Sequence, residues 1–149
     1  MNPINLTVPF NASVQLVINN VVNGPHPMHL HGTPFYILGY GSGQYNPSAS
    51  YPFLLANLTN APPKRDVVVV PGNTFYVLRF YADNPGVWLF HCHINWHLAN
   101  GLGATFIENI DLVTGSVNVP AFITQQCPAV SIASSLSPAL DWSRWSAIL

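Results

Sequence analysis

Apolar and polar residues partly alternate between positions 12 and 19, putting Val14, Leu16 and Ile18 on one face. That is the period-two signature of a strand with one side in a core. Residues 35–40 and 67–70 are short apolar or β-branched runs bounded by Gly, Pro and polar residues. Residues 74–81 (Thr-Phe-Tyr-Val-Leu-Arg-Phe-Tyr) read as a strand buried on both faces, and 86–92 and 103–108 as two more. Turn signals such as Pro71-Gly72 and Asn84-Pro85-Gly86 separate them, so the pattern predicts an all-β antiparallel sandwich or barrel. Residues 41–63, rich in Gly, Ser, Asn and Pro, predict a long loop. The only helical turns the pattern suggests are 94–100, ended by Gly101, and parts of the tail after Pro120. The last stretch, with Trp142 and Trp145, reads equally as a docking tail or a frayed terminus.

Composition narrows the class. The chain has 149 residues, one domain's worth, 49% apolar and only 6% charged, which is the opposite of a disordered chain. None of its apolar runs approaches the roughly 18 residues that span a bilayer. So few charges suit a domain packed against others of the same protein. A net charge of −1 gives no electrostatic case for nucleic acid or an anionic membrane. The start, Met1-Asn2-Pro3, lacks a signal peptide's basic and apolar regions. Sequons at Asn5, Asn11 and Asn57 are about as many as chance supplies in so Asn-rich a chain. If used, they imply that the chain begins partway through a longer secreted precursor.

The histidines change the picture. All six lie in two clusters, His26, His29 and His31 in one, His91, His93 and His97 around Cys92 in the other. Side chains two apart on a strand share a face, so His91 and His93 point one way and Cys92 the other. By the same parity His29 and His31 go together and His26 favours the opposite face. Two sites back to back follow: Cys92, His26 and His97 in one, and His29, His31, His91 and His93 in the other. One thiolate with two imidazoles is the ligand set of a blue-copper electron-transfer centre, and imidazoles without thiolate suit copper that handles oxygen. Zinc is the main rival, because His93 and His97 are spaced i, i+4. However, 86–92 reads as strand, and a closed zinc site takes four ligands, not seven. The remaining cysteine, Cys127, has no partner in the chain, which points to pairing with a segment outside it.

The two clusters resemble the third and fourth copper signatures of multicopper oxidases, with wording closest to fungal laccase-type enzymes. The resemblance runs over roughly residues 10 to 128 and includes Arg65-Asp66-Val67-Val68 and Asp83-Asn84-Pro85-Gly86-Val87-Trp88. It implies a cupredoxin-like Greek-key domain over 1–128, usually the last of three, followed by a tail at 129–149. It implies copper as the cofactor, with His26, Cys92 and His97 at a type 1 site, His29 at type 2, and His31, His91 and His93 at the type 3 pair. Leu102 falls at the axial position and has no donor atom, so a three-coordinate copper of fairly high potential is expected. Thr33 stands where family members often carry a histidine that is not a ligand. The family's first domain supplies four more histidines and commonly the disulfide partner of the cysteine matching Cys127.

The implied activity is laccase-type. A phenolic or similar reductant gives up single electrons near the ring edge of His97 or His26. The electrons pass through Cys92 to His91 and His93, and dioxygen is reduced to water. A ferroxidase would place carboxylates near the type 1 site, yet no acidic residue precedes Asp66. A single-copper electron carrier has no use for His29, His31, His91 and His93. A chain lacking half the cluster's ligands is expected to be inactive alone.

Overall fold

The computed structural model describes residues 4–49, 61–116 and 120–122. Among them are nine strands: β1 (Ile4–Val8), β2 (Ser13–Asn20), β3 (His26–Leu30), β4 (Phe35–Ser42), β5 (Lys64–Arg65), β6 (Val67–Val70), β7 (Thr74–Tyr81), β8 (Gly86–Cys92) and β9 (Gly103–Glu108). They form a five-stranded sheet in the order β1-β9-β8-β3-β6 and a four-stranded one in the order β2-β7-β4-β5. This is the all-β sandwich the alternation predicts.

The core follows from strand parity. Val14, Leu16 and Ile18 of β2 and Leu78 and Phe80 of β7 belong to one buried cluster with Met28 and Leu30 of β3, Phe90 and Cys92 of β8, and Phe106 of β9. Phe80 and Phe106 meet edge-on across the two sheets, with ring centroids 5.2 Å apart. Each such buried aromatic contributes about 1.5–3 kcal/mol. A second cluster, Val17, Leu38, Phe75 and Val77 with Tyr36 and Tyr45 against it, uses the other parity of the same strands. The largely apolar character of β7 is thus explained, since residues of both parities are covered.

Three features differ from the sequence expectation. β1 pairs with β9 in parallel, so the sandwich is not wholly antiparallel. Parallel neighbours need a long crossover, and here most of the domain is that crossover. A helix at Ile110–Ser116 was not anticipated. Its Val, Thr and Gly content gives no helical signal, and it starts where Asn109 takes φ 46° and its carbonyl accepts the N–H groups of Leu112 and Val113. Residues 47–49 are helical inside the stretch read as loop. Cys127, Asn57, the end of the expected 1–128 domain and the 129–149 tail lie outside the described residues.

Candidate metal centre

The register of β3 on β8 sets both histidine clusters. Met28 lies opposite Cys92 and His29 opposite His91. Along β3, His26, Met28 and Leu30 are buried while Pro27 and His29 are partly exposed. Pro27 does not disturb this alternation. Its carbonyl accepts the His93 N–H at 2.7 Å, so its missing N–H falls on the β8 side, where that strand has ended.

On the inner face, Cys92 Sγ lies 3.6 Å from His26 Nδ1 and 3.4 Å from His97 Nδ1. His97 arrives on a short helix, α1 (Asn95–Ala99). The turn begins with His97 N–H donating to Ile94 carbonyl at 2.9 Å. Two further bonds close it: Leu102 N–H to His97 carbonyl, 2.9 Å, and Cys92 N–H to Leu102 carbonyl, 3.0 Å. Leu102 is itself buried, 4% exposed, in the core cluster that holds Cys92. Burial pushes the Cys92 thiol above its ordinary pKa, opposed by the nearby backbone N–H of Ile94. Burial also lowers the pKa of His26, and the neighbouring His97 ring adds to the effect. A neutral His26 ring keeps a lone pair for a metal.

The donors of His26, Cys92 and His97 lie within 4.8 Å of one another, the one group so tight among the described residues. Metal–sulfur and metal–nitrogen bonds of about 2.3 and 2.0 Å at open angles set the two donors about 3.5–3.8 Å apart. The observed spacings match. A thiolate with two imidazoles is soft and trigonal, which suits copper.

The outer face gathers the other four rings more loosely. Centroids are 4.9 Å apart for His29–His31, 5.7 Å for His29–His91, 5.8 Å for His29–His93, 5.1 Å for His31–His91 and 5.5 Å for His91–His93. His29 Nδ1 faces the Asp66 carbonyl at 2.7 Å and His91 Nδ1 the Cys92 carbonyl at 2.9 Å. Those bonds fix Nδ1 as donor and leave Nε2 as the unprotonated nitrogen, able to accept a metal, on both rings. His31 Nε2 stands 3.1 Å from His91 Nε2. Desolvation among its neighbours, then the like rings of His29, His91 and His93, hold His31 below the ordinary pKa.

Several supporting residues had no sequence signal of their own. Asn20, fully buried, reaches the carbonyls of Gly24, Val70 and Pro71 at 2.8, 3.1 and 3.0 Å and so anchors the approach to His26. Asp66 entered only as part of a resembling run, yet its backbone orients His29. Asn84 and Trp88 reach the turn after His31.

A two-sheet sandwich with a thiolate–imidazole site on one face of a strand and an imidazole group on the other is a cupredoxin-like copper domain. The chain belongs to the multicopper oxidase family: the family's profile matches residues 1–111. It is 41% identical over 122 residues to an iron transport multicopper oxidase (FET3) of Gibberella zeae, covering 82% of this chain and 20% of that protein. Laccase-3 of Botryotinia fuckeliana is 49% identical over 85 residues, 57% of this chain and 18% of the relative. The crystal structure of Fet3p, described as a multicopper oxidase that functions in iron import, superposes with a TM-score of 0.70 at 30% identity, covering 87% of this chain and 26% of that one. The chain therefore spans about a fifth of the length of the curated relatives it matches. Copper is the family's metal and the donor set fits it. No helix among the described residues is long and apolar enough to cross a membrane.

Proposed function

We propose that this chain is the C-terminal copper domain of a laccase-type multicopper oxidase. In this reading His26, Cys92 and His97 hold a type 1 copper, with Leu102 at a non-coordinating axial position. His29 holds a type 2 copper, and His31, His91 and His93 serve the type 3 pair. Other cupredoxin domains of the same, secreted enzyme supply four further histidines and a partner for Cys127. Copper, when bound, supplies one-electron redox chemistry and the reduction of dioxygen. The chain's own part is to hold, orient and connect. Cys92 binds through a sulfur that must first lose its proton. His91 and His93 precede and follow it by one peptide unit, so covalent backbone links the two faces.

The observation that carries this reading is the division of β8, with Cys92 Sγ beside two ring nitrogens on one face and His91 and His93 beside His29 on the other. Support for an organic reductant comes from Trp96, 69% exposed, whose ring runs parallel to that of His97 at 6.1 Å. Neither Asp66, Asp83, Glu108 nor Asp111 joins the donor group around His26 and His97. Ferroxidase activity is the second reading, and the iron transport relatives at 41% identity favour it.

The test begins with copper content and optical spectra of the 149-residue chain. A blue thiolate absorption that Cys92→Ser abolishes, without oxidase turnover, is the expected result. Turnover by this chain alone would contradict the half-site. In the protein that contains this domain, oxygen uptake with a diphenol should exceed that with Fe(II); the reverse ranking selects the ferroxidase.

A further inference from the structure

His31 stands one residue past the end of β3. Strand ends open more readily than strand centres, whereas a ligand ring must hold its place to within about 0.5 Å. Something beyond the ladder has to fix this turn. The chain reverses at Gly32, whose φ of 74° is left-handed, and a Cβ there would fall inside the Trp88 indole. Gly86 lies against the same ring, and a Cβ would clash there too. Trp88 Nε1–H donates to the Asn84 carbonyl at 2.7 Å, and Asn84 Nδ2–H donates to the Gly32 carbonyl at 2.9 Å. The His31 N–H is held by the Leu89 carbonyl, 2.9 Å, on the strand that carries Trp88. The turn at 84–88 thus grips the residue after His31 by its carbonyl and by its open α-carbon together.

We propose that Asn84 and Trp88 are positioning residues that set the His31 ring against the His91 ring. This rests on the reading of His31 as a copper ligand. The consequence is selective. Trp88 is four residues from Cys92, about 13 Å along the strand, and the inner site has its own closing bonds through Leu102 and Pro27. Loosening the grip should therefore disturb the outer face and spare the inner one.

The test uses the 149-residue chain labelled with 15N-histidine, as wild type, Asn84→Ala and Trp88→Phe. In the metal-free variants the cross-ring contact between His31 and His91 is lost, while the His26 and His97 ring signals keep their positions. On titration with Cu(II), broadening of the His31 signal requires roughly 10- to 100-fold more metal than in wild type. The blue absorption of the Cys92 site is unchanged. Should Asn84→Ala unfold, Asn84→Asp keeps the side chain's shape and turns an acceptor toward the Gly32 carbonyl, with the same expected result. An intact His31–His91 contact in the variants, or equal weakening at both sites, overturns the proposal. If Cu(II) leaves the wild-type outer rings untouched, the ligand reading fails instead, and the metal-free ring contact still decides the positioning role.

Discussion

Three glycines offer a graded test of how rigid the turn after His31 is. Gly24 has nothing within 4 Å of an added Cβ and no left-handed φ. Gly24→Ala should stabilise the chain by about 0.4–1 kcal/mol, because it restricts only the unfolded state. Gly43 has φ 75° with equally open surroundings, so Gly43→Ala isolates the conformational cost, roughly 1–2 kcal/mol. Gly32 shares that φ but lies under Trp88. Gly32→Ala adds displacement of a packed indole, about 1–3 kcal/mol, to the same strain. The sum, about 2–5 kcal/mol, is a large part of a typical total of about 5–15 kcal/mol. It corresponds to a roughly 30- to 4,000-fold fall in the folding equilibrium. Urea unfolding of the metal-free chain reads all three, and near-ultraviolet circular dichroism reports on the indole. The expected order of stability is Gly24→Ala, wild type, Gly43→Ala, Gly32→Ala, with the aromatic signal changed only in the last. If Gly32→Ala is no less stable than Gly43→Ala, the indole yields freely, and Trp88 does not hold the turn.

Glu108 is wholly buried at the far end of β9, and neither carboxylate oxygen has a well-formed hydrogen bond. Burial raises its pKa above 4.5, against the pull of the Asn84 backbone N–H, with Asp83 pushing the same way as burial. Because the folded state holds this proton more tightly, its contribution is full below the unfolded value and is lost as pH rises through the folded one. Glu108→Gln should therefore raise stability near pH 7 by on the order of 1 kcal/mol and remove that pH dependence; a loss of stability at pH 7 contradicts the buried-charge account. Leu102→Met is close to volume-conserving and should cost less than about 1.5 kcal/mol. The thioether should lower the potential of the Cys92 copper in a redox titration, and an unmoved potential would mean that residue 102 is not axial.

Much of the fold was legible because burial on one or both faces leaves a period in the sequence. The runs at 67–70, 74–81, 86–92 and 103–108 coincide with β6, β7, β8 and β9. β1 left little trace, since only Val8 of its five residues is buried and its partners are each 100 residues away. β5 is two exposed residues, too short for any period. The grouping of the histidines was legible because parity and clustering depend only on local spacing. What fixes them was not. The bonds from Asn20, Asp66 and Asn84 join residues 37 to 52 positions apart and use backbone carbonyls, which carry no residue identity. Glu108 ends the run 103–108 without any signal of its own, and only the packing of both sheets reveals its burial.

Both candidate sites share one floor, the β3–β8 ladder, and this makes register the critical variable. A slip of one residue would turn every side chain on β8 to the opposite face. Cys92 would then leave His26 and His97 for the outer imidazoles, and His91 and His93 would be driven toward the apolar core. The His93 bond to Pro27, the Cys92 bond to Leu102 and the indole over Gly32 each pin that register from a different point. The two faces nonetheless differ in completeness. The inner one is closed by the chain itself, while the outer one leaves His31 and His93 exposed on a sheet whose Val67, Val69 and Val87 are also 40%, 52% and 54% exposed. Exposed apolar surface on such a sheet is costly to leave in water. A single register thus builds a thiolate site closed by the chain itself and, on the other side of the same strand, an imidazole surface left open.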